Sequence, residues 1–197
     1  MKGKYVTIYN YVDKNLVIQK SNECKYEKQY DLFFIGRLTE QKDPLKYIEI
    51  VSEYKKISKK IRAVIIGDGE LKDECLKKIN DYNLYSNIDM VGFVSNPFPI
   101  IKNSKVCIMP SKWEGFGLTA IEAMILGKPV LNSGAGGLGE IFRNNKEYFC
   151  DNTFEYTDNI KNMLMQNKFN FDGIIKQYCD LTNWKNRIKK IYMEEDK

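Results

Sequence analysis

No two cysteines of this chain are spaced as C-x-x-C, and the five present, Cys24, Cys75, Cys107, Cys150 and Cys179, are odd in number and far apart. That argues against a zinc site or a disulfide framework and points to a reducing compartment. No stretch approaches the ~20 apolar residues of a membrane span, and the opening residues M-K-G-K-Y-V-T lack the apolar centre of a signal peptide. The expected location is the cytosol, including peripheral contact at the inner membrane face. Charge of one sign is in short supply: 31 Lys plus Arg against 26 Asp plus Glu leave +5. Spread along the chain, that is too little for nucleic-acid binding, although it suits an anionic small molecule or a membrane surface.

What is present suffices for one buried core. With 43% hydrophobic and 13% aromatic residues in a chain of 197, one domain is expected rather than two. Short apolar runs at Leu32 to Ile35, Ala63 to Ile66, Ile88 to Val91, Val106 to Met109 and Val130 to Leu131 read as strands, with Tyr148 to Cys150 as a sixth. Between them, helical periodicity begins at Pro44 and covers Leu71 to Ile79 and Ala120 to Leu126, the last closed by Gly127-Lys128-Pro129. Buried strands alternating with helices predict an α/β fold, a doubly wound and mainly parallel sheet. Residues 1–30 read as a lead-in and interdomain linker, 31–150 as the Rossmann-like body. Residues 151–197 read as a helical tail with Ile174, Tyr178, Leu181, Trp184, Ile188 and Ile191 on one face.

The most informative stretch is E-G-F-G-L-T-A-I-E, residues 114 to 122. Gly115 and Gly117 let backbone approach a ligand closely, and the free amides of the first helical turn form an anion site. Glu114 and Glu122 flank it as hydroxyl acceptors, a combination suited to a nucleotide sugar. Thr119-Ala120-Ile121-Glu122 also reads as a capping box, which would make Glu122 a cap. Singly, Arg37 and Lys42 read as surface charges and Gly67-Asp68-Gly69 as a turn. Gly134-Ala135-Gly136-Gly137-Leu138-Gly139 matches the dinucleotide fingerprint G-x-G-x-x-G. That rival requires a crossover helix of about a dozen residues and a second strand. Only Glu140 to Lys146 are available before Tyr148, and Asn144-Asn145 breaks the helix.

Together these motifs resemble the retaining glycosyltransferases of the GT-B fold that carry an E-x7-E signature, specifically their C-terminal, donor-binding domain. Gly36-Arg37-Leu38 with Lys42 matches a G-R-L-x-x-x-K segment, Gly67-Asp68-Gly69 a G-x-G segment, and Val91-Gly92-Phe93-Val94 a V-G-F-V segment. Glu140-Ile141 matches a Glu-Ile pair after a glycine-rich loop, and I-Y-N-Y-V-D, ending at Asp13, the lead into the domain. The resemblance implies a nucleoside diphosphate sugar bound by Arg37, Lys42 and the amides of Leu118 and Thr119. It implies ribose on Glu122, sugar hydroxyls on Glu114 and the backbone of Gly115, Phe116 and Gly117, and the base near Phe93 and Val94, with Gly36 and Gly67 lining the site. Arg37, Lys42 and Glu114 would carry the chemistry, without a metal or other cofactor. The expected role is transfer with retention to a glycan or lipid-linked acceptor in bacterial polysaccharide or lipopolysaccharide synthesis.

The family's N-terminal domain, which binds the acceptor and supplies a histidine, has no counterpart in this sequence, and histidine is absent altogether. The chain therefore reads as half an enzyme. The alternative is a non-catalytic nucleotide-sugar-binding or assembly module.

Overall fold

The computed structural model describes residues 7–194. Five strands, β1 (Tyr30–Ile35), β2 (Ala63–Ile66), β3 (Ile88–Gly92), β4 (Ser104–Met109) and β5 (Val130–Asn132), form one sheet in the order β3-β2-β1-β4-β5. Every pairing is parallel. Phe33 of β1 lies in register with Val64 of β2 and Cys107 of β4, and all three are buried. Covered on both faces, these strands read as continuous apolar runs rather than alternating ones. Truncating a core ring such as Phe33 would cost about 3–5 kcal/mol.

The helices fall into two groups. One comprises α1 (Lys14–Ser21), α4 (Phe98–Lys102), α5 (Leu118–Ile125) and α8 (Asp172–Cys179), with α1 touching α4 and α5, and α8 touching α5. The other comprises α2 (Pro44–Ile57), α3 (Lys72–Asp81) and α7 (Thr153–Met165), with α2 touching both others and α7 packing on β4 and β5. Short helix α6 (Gly137–Ile141) follows β5, and α9 (Leu181–Glu194) ends the described chain. Strand order reverses between β1 and β4, so the crevice of this fold opens beyond their carboxyl ends, where ligands bind in open α/β sheets. Helix α2 is started by Asp43, whose carboxylate accepts from the Lys46 amide at 3.0 Å, with Pro44 in the first turn. That fixes the loop from Gly36 to Asp43 at both ends.

Three local expectations are corrected. Tyr148 to Cys150 is not a sixth strand. Lys146–Tyr148 forms a 3-10 turn, and only Phe149 bridges to Asn132. The buried Asn132 side chain already takes the Tyr148 carbonyl at 3.2 Å, so little extended backbone is left to pair.

The capping box does not form. Gly117, in the left-handed region at φ 97°, is the N-cap, no side chain caps the helix, and α5 begins at Leu118. Glu122 consequently falls in the second turn, two residues beyond the third helical position where a capping box needs it.

The tail is three helices rather than one face. Asp180 accepts from the Asn183 amide at 2.9 Å, ending α8 and starting α9, and Leu181 is exposed. The last three residues of the expected tail lie outside the described residues. The tail is tied to the start of the chain: Trp184 Nε1 donates to the Tyr9 carbonyl at 2.9 Å and the Val12 amide to the Tyr178 carbonyl at 3.0 Å. Among the described residues no helix is long and apolar enough to cross a membrane.

Candidate functional site

The loops leaving β1 and β4 meet at the switch point. Lys42 Nζ donates to both carboxylate oxygens of Glu114, at 2.6 and 2.7 Å, and Ser111 Oγ donates to Glu114 Oε1 at 2.8 Å. Only 4% of the Glu114 side chain is exposed, against 19% of the Lys42 side chain, so the acid is sealed and the cation reaches solvent. A buried charge without a partner is costly, and this carboxylate has two.

The turn after Glu114 is held by the glycine-rich loop. The Gly137 amide donates to the Glu114 carbonyl at 3.0 Å. A Cβ on Gly136 would lie 2.1 Å from that same carbonyl oxygen, and the residue has φ 55°. These glycines let one loop lie against another. With α6 only five residues long, the dinucleotide reading loses both its crossover helix and its following strand. The Phe116 ring stacks on Tyr9 at 6.1 Å and meets Tyr178 edge-on at 5.4 Å, so its side chain anchors the turn to the ends of the chain. Only its backbone is left for a ligand. The amides of Leu118 and Thr119, at the tip of α5, have no hydrogen-bond partner among the described residues.

Arg37 is exposed and joins the same site through Gln41. The guanidinium donates to Gln41 Oε1 at 3.4 Å, while Gln41 Nε2 donates to the Trp113 carbonyl at 3.1 Å and the Lys112 amide to the Gln41 carbonyl at 2.9 Å. Beside it, a cleft of about 420 Å³ is lined by Gly36, Arg37, Gly67, Asp68, Phe93 and Val94. These residues follow the ends of β1, β2 and β3, and the Phe93 ring is 78% exposed. Glu122 is half-buried on α5, and its carboxylate has no hydrogen-bond partner among the described residues. Burial raises its pKa, opposed by the positive charge of Lys20 on α1. A larger cleft of about 610 Å³, lined by Lys25, Tyr26 and Lys102 among others, lies at the opposite edge of the sheet and contains none of these residues.

Of the residues singled out by motif, Lys42 and Glu114 touch, Arg37 reaches the same loop pair through one residue, and Gly36, Gly67, Phe93 and Val94 share the cleft. Glu122 lies on the same helix as the two free amides. Sequence reasoning missed Ser111 and Gln41. Ser111 stands three residues before Glu114 and Gln41 next to Lys42, but nothing local marks either as a partner.

The model of glycosyl transferases group 1 matches residues 18–178. An uncharacterized glycosyltransferase of Methanocaldococcus jannaschii is 35% identical over 144 residues, covering 68% of this chain and 34% of the relative. The O-antigen biosynthesis glycosyltransferase WclY of Escherichia coli is 30% identical over 138 residues, 68% of this chain and 39% of its own. The matched part of the chain thus spans only 34 to 39% of the length of these relatives. In fold it resembles the pneumococcal O-GlcNAc transferase GtfA, solved in complex with UDP and GlcNAc, at TM-score 0.76 and 19% identity, covering 98% of this chain and 40% of that one. A parallel sheet with its motif loops gathered on one rim, matched over most of its length by one family model, places this chain in the glycosyl transferases group 1 family.

Proposed function

We propose that this chain is the donor-binding half of a retaining glycosyltransferase, taking a nucleoside diphosphate sugar for transfer to a glycan or lipid-linked acceptor. The observation that carries the reading is the meeting of Lys42 and Glu114 at the switch point, between the free amides of α5 and the cleft beside Arg37. That arrangement supplies cations, amide donors and carboxylates along one rim.

The diphosphate lies between Arg37, Lys42 and the amides of Leu118 and Thr119. As the bond from sugar to phosphate breaks, negative charge grows on the leaving diphosphate. Preorganised donors stabilise that charge more than the ground state, and one such donor is commonly worth about 3 kcal/mol of barrier. Two cations and a helix tip neutralise the diphosphate here without a divalent metal. Phe93, exposed at the mouth of the cleft, offers a face for the base. Once the diphosphate draws Lys42 away from it, Glu114 takes the sugar hydroxyls together with the backbone of Gly115 to Gly117, and Glu122 takes the ribose.

The acceptor side belongs to a partner half of similar size, in keeping with a relative about twice as long as this chain, since 68% of this chain matches 34% of it. An O-antigen enzyme among them favours a polysaccharide or lipopolysaccharide pathway. UDP in the pneumococcal complex makes a uridine diphosphate sugar the first donor to test. Calorimetric titration with UDP, GDP and ADP tests the reading. A single site for one of the three, weakened by Lys42→Ala and Glu122→Ala, is expected, and no binding of any of them would end it.

A further inference from the structure

The two edges of the sheet carry opposite charge. The five connections running from a strand to a helix, 36–43, 67–71, 93–97, 110–117 and 133–136, hold three lysines and arginines against five carboxylates. The five running from a helix to a strand, 22–29, 58–62, 82–87, 103 and 126–129, hold Lys25, Lys28, Lys59, Lys60, Arg62 and Lys128 against only Glu23 and Glu27. The loops on the edge away from the donor rim therefore carry a net +4, six cations less two acids, against −2 on the donor side, three less five.

Helix dipoles account for part of such a pattern, because helices end on this edge, but that effect falls off within the last turn. The last turns of α1, α2 and α3 already carry Lys20, Lys55, Lys56 and Lys78. The six cations counted here lie beyond those turns. Lys25, Lys59, Lys60 and Lys128 form no ion pair among the described residues. Burial, and after it the like charge of Lys102, lower the pKa of Lys128.

Apolar groups stand among these cations. Ile57, the last residue of α2, and Tyr82 and Tyr85, on the connection into β3, are 57, 40 and 64% exposed. The 610 Å³ cleft opens on the same edge, lined by Lys25, Lys102, Asn22, Asn103 and Tyr26, with Glu27 as its only acid. Unpaired lysines with amphipathic rings between them, beside a polar cleft wide enough for a phosphate headgroup, match an anionic lipid surface in charge and in polarity.

We infer that this edge docks the chain on an anionic membrane, with the donor rim turned away from the lipid by the length of the sheet, about 20 Å for the six residues of β1. Charge attraction supplies the affinity, and the exposed tyrosines settle at the headgroup level. The donor rim stays open to its nucleotide and to the acceptor half. This inference stands independently of the donor assignment, since it uses none of those residues.

Co-sedimentation with vesicles of phosphatidylcholine alone, or with three-tenths phosphatidylglycerol, tests it. Binding is expected to the anionic vesicles only and to fall steadily with salt. Each positive charge removed should lower partitioning about five-fold, so Lys59→Glu with Lys60→Glu should abolish measurable binding. Tyr85→Ser should weaken it while leaving the salt dependence intact. A circular dichroism spectrum matching the unsubstituted chain guards against misfolding, because all three side chains are exposed. Equal binding to neutral vesicles, unchanged binding by the double variant, or tighter binding to a short RNA or DNA duplex than to anionic vesicles would overturn it.

Discussion

Lys42 and Glu114, 72 residues apart in sequence, hold each other through both carboxylate oxygens at the point where the strand order reverses. The cation meant for a diphosphate is occupied by an internal carboxylate, which a donor phosphate must displace or share. Glu114→Gln keeps the partner of Ser111 and releases Lys42, so UDP binding should tighten several-fold. Lys42→Ala leaves a sealed carboxylate with Ser111 alone and should lower unfolding free energy by about 3 kcal/mol, as well as UDP affinity. Urea denaturation and calorimetry read the two effects. Weaker UDP binding by Glu114→Gln would show that the acid helps rather than competes.

The glycines of the two adjoining loops separate by role. An alanine at 136 would bring Cβ to 2.1 Å from the Glu114 carbonyl oxygen, at a positive φ. It should cost about 2–3 kcal/mol of stability and loosen the turn. An alanine at 115 meets nothing within 4 Å, so Gly115→Ala should be as stable as the parent within about 0.5 kcal/mol. It should nonetheless bind a nucleotide sugar more weakly than the parent does, while UDP binding changes little. Parallel thermal melts and titrations distinguish the pair, and parental sugar-nucleotide affinity in Gly115→Ala would remove the close approach at that position.

Glu122 carries a pH signature. Because burial raises its folded-state pKa above the unfolded value of about 4.3, the folded chain holds the proton more tightly. Its contribution is most favourable below the unfolded pKa and is lost as pH rises through the folded one. Glu122→Gln should therefore be more stable than the parent at pH 7.5, with the gap closing towards pH 4. Urea midpoints across that range are the measurement. The same variant should bind nucleoside diphosphates less well, since the ribose loses its acceptor.

Arg37 sits exposed on the rim, where its charge is open to screening. Arg37→Ala should lower UDP affinity about ten-fold at low salt and progressively less as salt is raised. An identical loss at every ionic strength would assign the effect to shape instead of charge.

Much of the architecture is legible locally. Ala63 to Ile66 forms β2 with the expected bounds, and Pro44 opens α2, because an apolar run closed by glycine and a proline after an aspartate each allow few backbone alternatives. The failures share a cause. Tyr148 to Cys150 has strand composition, but Asn132 already takes its carbonyl partner. Thr119 to Glu122 has capping-box spacing, but Gly117 starts the helix in the left-handed region. In both places a tertiary neighbour or a glycine conformation outweighs a short-range preference. Ser111 and Gln41 left no readable mark, because hydrogen bonding to Glu114 and Trp113 is a property of two loops brought side by side.

The sequence by itself determined the alternation of strands and helices, the single rim on which the motif residues lie, and the family, since each follows from apolar periodicity and from glycine, arginine and glutamate at fixed spacing. Only the tertiary structure decided that Lys42 rests on Glu114, that the glycine-rich loop braces the E-G-F-G turn, and that surplus positive charge collects on the far edge of the sheet. Those outcomes depend on which strands become neighbours, a choice made by burial of the whole core and written in no local stretch of residues.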